Sequence, residues 1–146
     1  MNTTFRTTSW LRVLLGIAIC TATTWTAAAQ DEPAAIGKHD RWVTSVAFAP
    51  DGATLATGGG SSLLYRPGDV MLWDVTSGEL KSQLEGHEAA VWAVAFSPDG
   101  NTLATAGYDK LVKLWDLASG ENRATLEGHK NWVTDLAFSP AGSTLA

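Results

Sequence analysis

Short apolar runs bounded by turn residues recur along the chain from residue 37 onward. Three of them, Val43–Phe48, Val91–Phe96 and Val133–Phe138, are six residues long and are followed by Ala-Pro or Ser-Pro. Runs this short, with no helical period and a turn signal after each, favour β-strands. The middle run is apolar throughout, which indicates a strand buried on both faces. The pattern therefore predicts an all-β protein whose inner strands are covered on two sides.

The middle run begins a unit that has four predicted strands. After Val91–Phe96, the turn Pro98-Asp99-Gly100 leads into a second strand, Asn101–Gly107. Pro presets φ at such a turn, and Gly accepts a positive φ. A third strand is predicted at Leu111–Leu117 and a fourth at Asn122–Glu127. The fourth strand is polar and charged, as expected of an outer edge in water.

The same unit is repeated along the chain. Phe48, Phe96 and Phe138 occupy the same phase and are separated by 48 and 42 residues. The difference of six residues is explained by an insertion in the first unit, within residues 58–68. A period near 42 with four short strands in each unit indicates a β-propeller, whose blades bury their faces against one another.

The polar residues of the middle unit make the pattern more specific. In order along the chain they belong to Gly86-His87, Phe96-Ser-Pro-Asp-Gly100, Leu103-Ala-Thr105, Asp109 and Trp115-Asp116. This arrangement resembles a complete WD40 repeat, and the resemblance extends over residues 37–146. It implies an all-β, WD40-type β-propeller that is incomplete, with about two and a half four-stranded blades where closed rings usually have about 4–8.

The repeats and the residues before them divide the chain into five parts. These are a signal peptide (1–29), a linker with a candidate ring-closing strand (30–36), a first repeat (37–85), a second repeat (86–127) and a truncated third repeat (128–146). The third repeat stops inside what should be its second strand. Since blades are stable only against neighbours, the remaining blades are expected to lie C-terminal to residue 146.

The first thirty residues have the composition of a secretory signal. Arg6 and Arg12 precede the apolar run Val13–Cys20, and Ala27–Ala29 provides a small-residue cleavage site. The apolar run is shorter than the about 20 residues that cross a bilayer. Export to the periplasm or the extracellular space is therefore expected, with an uncleaved anchor or a core helix as the alternative. The only cysteine, Cys20, lies in this segment, so the exported part has no thiol nucleophile and no disulfide framework.

Three polar residues of the second repeat, His87, Thr105 and Asp109, resemble a catalytic triad in their composition, and Trp115 recurs with them. The WD40 resemblance implies a structural role instead. In that role the indole of Trp115 donates a hydrogen bond to the hydroxyl, the hydroxyl donates to the imidazole, and the imidazole donates to Asp109. Each buried polar group would then have a partner, which is the condition for burying it at low cost.

Positions of the same phase recur in the other repeats, at His39, Thr57, Trp73 and His129. In the first repeat the insertion occupies the turn that should hold the carboxylate, and Asp69 is the nearest candidate. The first network is therefore expected to be incomplete. The three histidines do not indicate a metal site, because separations of 48 and 42 residues match no ligand spacing. No metal and no cofactor are expected.

The resemblance also implies where a partner binds. In WD40 propellers, partners commonly dock on the wide face around the central channel. The matching positions, together with the insertion, supply the candidate residues Trp42, Trp92, Tyr108, Trp132, Tyr65 and Arg66. Aromatic residues are over-represented in binding hot spots, so a protein or peptide partner is expected on this face. The alternative is that the aromatic side chains cover the channel rim.

Charge and motif content argue against several classes of function. From residue 30 onward, 8 basic against 15 acidic residues leave a net charge of −7, which does not suit a nucleic-acid surface. The chain has no Gly-x-Ser-x-Gly and no His-Glu-x-x-His motif, and Asp135 is the one acid on a predicted inner strand. We therefore expect a non-catalytic scaffold that binds neither nucleic acid nor, after signal cleavage, a membrane. The alternative is the scaffold part of a larger extracytoplasmic enzyme whose catalytic domain lies outside this chain.

Overall fold

The computed structural model describes residues 36–61 and 66–146 of the chain. The predicted signal peptide and nearly all of the predicted linker lie outside these ranges, and Ile36, the one linker residue inside them, lies in no strand. The described residues form eight strands. Their bounds are β1 Val43–Phe48, β2 Thr54–Gly59, β3 Asp69–Asp74, β4 Leu80–Leu84, β5 Val91–Phe96, β6 Thr102–Gly107, β7 Val112–Asp116 and β8 Asn122–Leu126. None of these residues belongs to a helix long and apolar enough to span a bilayer.

The strands form two antiparallel sheets of four, and each strand pairs with the next one along the chain. Strands β1–β4 make the first blade and β5–β8 the second. The predicted strands of the second repeat differ from the observed ones by one residue at an end at most. Short turns explain this order, because each Pro-Asp-Gly or Ser-Gly turn returns the chain beside the strand it has just left.

Both blades carry the same irregularity in their inner strand. In β1 the pairing shifts between Val43 and Ser45, and in β5 it shifts between Val91 and Ala93. The residue left without a partner in the ladder is Thr44 in the first blade and its counterpart in the second, as in a β-bulge. The hydroxyl of Thr44 donates to the carbonyl oxygens of Val91 and Gly58, the second at 3.0 Å, and so joins the two blades.

The core lies between the two blades. Val70 and Leu72 of the first blade pack with Val91, Val94 and Leu103 of the second. Val91 and Leu103 have no exposed surface, which confirms that the inner part of the second blade is buried on both sides. This burial supplies the main stabilisation of the pair, at about 1.5–3 kcal/mol for each large apolar side chain.

The third repeat covers the far side of the second blade. Val133 packs with Ala106 and Val112, and the partly buried Leu136 and Leu145 add to this cluster. The predicted strand Val133–Phe138 is wrong as a continuous element, since the described residues form only one isolated bridge there, to Leu145. Beside this bridge, backbone bonds between Ala137 and Ala146 pair this segment within the described residues, which is too little to form a regular strand.

The predicted bounds of the insertion are also wrong by two residues. Gly58 and Gly59 pair with Val70 and Asp69 as the end of β2, so residues 60–68 connect β2 to β3; this connection is called the loop 60–68, and its residues 62–65 lie outside the described ranges. Glycine has a low strand propensity, which is why the sequence suggests a loop. Gly58 is favoured here for its size, because a Cβ atom would lie 2.9 Å from methyl groups of Val91 and Val94.

Candidate functional site

The antiparallel order brings functional candidates to one end of the blades. The first and third strands of each blade begin at this end and the second and fourth strands finish there. We call it the upper end. Trp42 precedes β1, Tyr108 follows β6, and the loop 60–68 joins β2 to β3, so all three lie at the upper end.

In the second blade, four side chains are joined by hydrogen bonds. Trp115 Nε1 donates to Thr105 Oγ1 at 2.8 Å, and this hydroxyl lies 2.7 Å from His87 Nε2. The other imidazole nitrogen, His87 Nδ1, lies 2.7 Å from Asp109 Oδ2. The carboxylate also accepts the backbone N–H groups of Glu88 and Leu111, each at 3.2 Å. The order of contacts is the one that the WD40 resemblance implies.

The electrostatics of Asp109 reflect this arrangement. Burial by itself raises the pKa of Asp109, but the hydrogen bond and charge of His87 act in the opposite direction. Together with the N–H groups of Leu111 and Glu88, they hold the pKa of Asp109 below its ordinary value. The carboxylate is therefore ionised at neutral pH and fixes the orientation of the imidazole.

The burial of this network argues against catalysis. His87 is 2 % exposed and Thr105 has no exposed surface, so a substrate cannot reach the hydroxyl that a nucleophilic mechanism would need. Trp115, 2 % exposed, closes the network toward the core. A buried set of polar groups in which each has a partner adds to stability and to a unique packing.

The first blade has three of the four corresponding groups. Trp73 Nε1 donates to Thr57 Oγ1 at 2.8 Å, and His39 Nε2 lies 2.6 Å from the same hydroxyl. His39 Nδ1 is buried, and among the described residues it has no hydrogen-bond partner. The carboxylate of Asp69 lies instead 3.7 Å from Nη1 of Arg41.

The insertion explains why the carboxylate is displaced. In the second blade the turn between β6 and β7 has four residues, and Asp109 is the second of them. In the first blade the longer loop takes that place, and Asp69 becomes the first residue of β3, paired with Gly59. Burial lowers the pKa of His39, and the charges of Asp69 and Asp40 only partly offset this effect.

Two of the aromatic candidates contact each other. The rings of Tyr108 and Trp132 are stacked, with centroids 4.3 Å apart and planes at 21°. The backbone brings them together, because Val133 N donates to Gly107 O at 3.2 Å. Trp132 remains 50 % exposed, so one ring face is available to solvent.

The other aromatic candidates differ in exposure. Trp42 is 73 % exposed and lines a cleft of about 260 Å³ with Arg41 and Gly60. Trp92 is half-buried, and its buried Nε1 has no hydrogen-bond partner among the described residues. Arg66 is exposed, and Tyr65 lies outside the described residues.

The family model described as WD domain, G-beta repeat matches this chain at residues 33–74, 78–116 and 120–146. These matches cover well over half of the chain. The chain belongs to the WD40 family. A comparison with curated proteins gives no match. WD40 repeat domains are generally non-catalytic scaffolds and typically mediate protein–protein interactions, which agrees with a network that is buried rather than open to substrate.

The histidine of the third WD40 repeat has no network partner among the residues that the structure describes. His129 is exposed and makes no hydrogen bond within the described part of the chain. With a period of 42 residues, the positions that match Thr105 and Trp115 lie beyond residue 146. The role of His129 in a structural network therefore stays a prediction.

One residue of the upper end was missed by sequence reasoning. Arg41 Nη1 donates to Pro67 O at 2.6 Å and contacts Asp69, which ties the start of the first WD40 repeat to the end of its insertion. No local motif signals this contact, because Arg41 lies 26 residues before Pro67. The only available signal was its position beside Trp42, a candidate already chosen for its phase.

Within residues 36–61 and 66–146, no group of three or more His, Cys, Asp or Glu side chains comes together in a way that could hold an ion. Both nitrogens of the His87 imidazole are instead hydrogen-bonded, one to Thr105 and the other to Asp109.

Proposed function

We propose that this WD40 chain is a non-catalytic scaffold that binds a protein or peptide partner at its upper end, which corresponds to the wide face of the propeller. The observation that carries the proposal is the exposed ring of Trp132, held in one orientation by its stacking on Tyr108. Exposed tryptophans are unusual on a soluble surface, and they dominate binding energy where they occur in interfaces.

The stacked pair suits recognition for an entropic reason. A side chain that is ordered before binding loses less freedom when a partner arrives, and this raises affinity. The stacking fixes Trp132, whereas Trp42 presents a larger exposed surface beside the cleft that it shares with Arg41. The two tryptophans are therefore expected to contribute separately, Trp132 as a preformed contact and Trp42 as an adaptable one.

The binding surface can be tested with a phage-displayed random peptide library captured on the immobilised chain. We expect enriched peptides to lose most of their binding to the variants Trp132→Ala and Trp42→Ala. The matched control is Leu80→Ala, because Leu80 is 48 % exposed and begins β4 at the opposite end of the blade. Peptides that bind all three variants equally well would contradict the proposal.

We also propose that the chain is exported. The support is the sequence of the first thirty residues, with Arg6 and Arg12 before the apolar run Val13–Cys20 and the small residues Ala27–Ala29 at its end. Expression of the full chain followed by N-terminal sequencing of the secreted product tests this. A product that begins at Gln30 is expected, whereas a product that keeps residues 1–29 in the cytoplasm would contradict export.

A further inference from the structure

We propose that His39 makes the first blade responsive to acid. When His39 takes a second proton from solvent, it draws the carboxylate of Asp69 away from Arg41, and this frees the end of the loop 60–68. The second blade has no such response, because Asp109 already satisfies the matching imidazole. The proposal concerns a movement within this chain and does not depend on the proposed partner.

The first step rests on the hydrogen bonds of the threonine hydroxyl. Thr57 Oγ1 accepts the indole N–H of Trp73 and lies 2.6 Å from His39 Nε2, but it also lies 3.4 Å from Met71 O. This carbonyl is a second acceptor. When the imidazole carries two protons, Nε2–H can donate to the hydroxyl while the hydroxyl turns to donate to Met71 O. The network of the first blade can therefore reverse its direction without breaking.

The second blade lacks this freedom. For the hydroxyl of Thr105, the described contacts are the indole of Trp115 and His87 Nε2, with no carbonyl as a further acceptor. In addition, His87 Nδ1 is held by Asp109 at 2.7 Å. The two blades thus differ at both nitrogens of the histidine.

The second step rests on the charges that face His39. Asp69 on β3 pairs with Gly59, where a Cβ atom would lie 3.7 Å from His39 Nδ1, and Asp40 lies on the same segment as the histidine. Arg41, also on that segment, faces Asp69, and β2 contributes no charged residue at all. With the second proton on Nε2 the ring is cationic, and its buried Nδ1–H becomes a charged donor without a partner among the described residues, which is costly until an acceptor reaches it. Asp69 is the carboxylate best placed to do so.

The present contact of Asp69 with Arg41 is weaker than the contact that Asp69 would make with protonated His39. Its oxygen lies 3.7 Å from Nη1 of Arg41, which is long for a charge-assisted hydrogen bond, and Arg41 is partly exposed to solvent. The bond between His87 and Asp109, at 2.7 Å, shows the distance that a carboxylate reaches on a WD40 imidazole in this chain. We therefore expect the carboxylate of Asp69 to bind protonated His39 in preference to Arg41.

The third step is the release of the loop. Arg41 Nη1 makes both the contact with Asp69 and the 2.6 Å hydrogen bond to Pro67 O. Without the carboxylate, the guanidinium loses the charge that orients it toward the loop. Among the described residues, Gly68 N still donates to His87 O at 3.2 Å and anchors the junction with β3. Movement is therefore expected around Arg66 and Pro67, at the upper end.

The test uses the full chain with Cys20→Ser and Arg66→Cys, labelled at the new thiol with an environment-sensitive fluorophore and titrated from pH 8 to pH 5. We expect one transition in the emission, with a midpoint below the ordinary histidine value. His39→Gln and Asp69→Asn should abolish it. Asp109→Asn, the matched change in the second blade, should leave it in place.

A second measurement uses the labelled chain that keeps His39, so its result does not depend on whether the His39→Gln variant folds. Nitrogen-15 NMR of the imidazole rings reports when His39 gains its second proton, and this should coincide with the change in emission. The proposal is overturned if the emission changes without protonation of His39, if His39 is protonated without any change, or if the transition survives in folded Asp69→Asn.

Discussion

The first and second blades have the same strand order and the same bulge, but they treat their central histidine differently. In the second blade His87 is held at both nitrogens, and a turn of four residues carries the carboxylate. In the first blade His39 is held at one nitrogen, and the loop 60–68 replaces that turn. The backbone pairing of β1–β4 nevertheless matches that of β5–β8.

This difference distinguishes the interactions that form a WD40 blade from those that the polar network contributes. Since the ladder is intact where the carboxylate is missing, strand pairing and the packing of Val70, Leu72 and Val91 are sufficient to form the sheet. The network then contributes stability and a fixed orientation of the histidine. Substitutions at matching positions of the two blades should therefore have unequal effects, and the following experiments measure the inequality.

The largest effect is expected from Thr105→Val. Valine fills the same volume but leaves the indole of Trp115 and Nε2 of His87 without a partner in a region that has no solvent contact. Two orphaned buried groups at about 1–3 kcal/mol each predict a loss of about 3 kcal/mol in the free energy of unfolding. Urea denaturation followed by tryptophan fluorescence measures it.

The matched control for this change is Thr57→Val in the first blade. The loss there should be smaller, because His39 is only half-buried and water can reach part of it. Equal losses in the two blades would show that the greater exposure of His39 does not reduce the cost of removing its partner.

The next largest effect is expected from Asp109→Ala. This change leaves the buried Nδ1 of His87 unpaired and should cost about 2 kcal/mol in the free energy of unfolding. Asp69→Ala removes only the long ion pair with the partly exposed Arg41 and should cost about 0.5 kcal/mol or less. Thermal unfolding of both variants gives the comparison, and a loss for Asp69→Ala as large as that for Asp109→Ala would refute it.

The acid dependence of stability should depend on the same carboxylate. The pKa of Asp109 in the folded chain is below the ordinary value of 3.8, so its contribution is complete above pH 3.8 and is lost as the pH falls through the folded pKa. The chain should therefore lose stability on acidification below pH 3.8, and Asp109→Asn should lose less. Urea midpoints measured between pH 5 and pH 2.5 test this expectation.

The control for the acid experiment comes from two turns that match each other. Asp74 and Asp116 follow the tryptophan of each blade, accept two backbone N–H groups each at 2.9–3.0 Å, and have a lowered pKa for that reason. Asp74→Asn and Asp116→Asn should change the acid dependence by similar amounts. If the changes caused by Asp74→Asn and Asp116→Asn differed from each other by as much as the effect of Asp109→Asn, the acid dependence could not be attributed to the network.

Apolar runs and turn residues were sufficient to predict the strands whose position depends on residues nearby in the sequence. The apolar run Val91–Phe96 and the turn Pro98-Asp99-Gly100 specify the strands of the second blade to within one residue. Gly58 was misplaced because its place in the strand reflects the approach of Val91 and Val94 from the next blade, more than thirty residues away. Propensity carries no information about such an approach.

In the candidate site, too, features that depend on position within the repeat were predicted, and contacts between distant residues were not. Phase within the repeat placed Tyr108 and Trp132 at one end, but their stacking depends on the bond between Val133 N and Gly107 O, which joins two repeats. The unpaired nitrogen of His39 was anticipated from the insertion. The contact of Arg41 with Pro67 was not, since it joins residues 26 positions apart in the chain.

The smallest expected effect concerns the turn that the first blade lacks. Lys110 follows Asp109 and adopts a positive φ of 68°, the one non-glycine residue in the described part of the chain to do so. This conformation costs about 1–2 kcal/mol for an L-residue, whereas glycine adopts it freely and loses about 0.5–1 kcal/mol through its greater freedom when unfolded. Lys110→Gly should therefore stabilise the chain by about 0.5 kcal/mol in urea denaturation. Lys130→Gly is the control, because Lys130 is equally exposed and has an ordinary φ, so that glycine should destabilise there. If both changes destabilise, the turn of the second blade stores no strain, and the difference between the blades lies in the carboxylate alone.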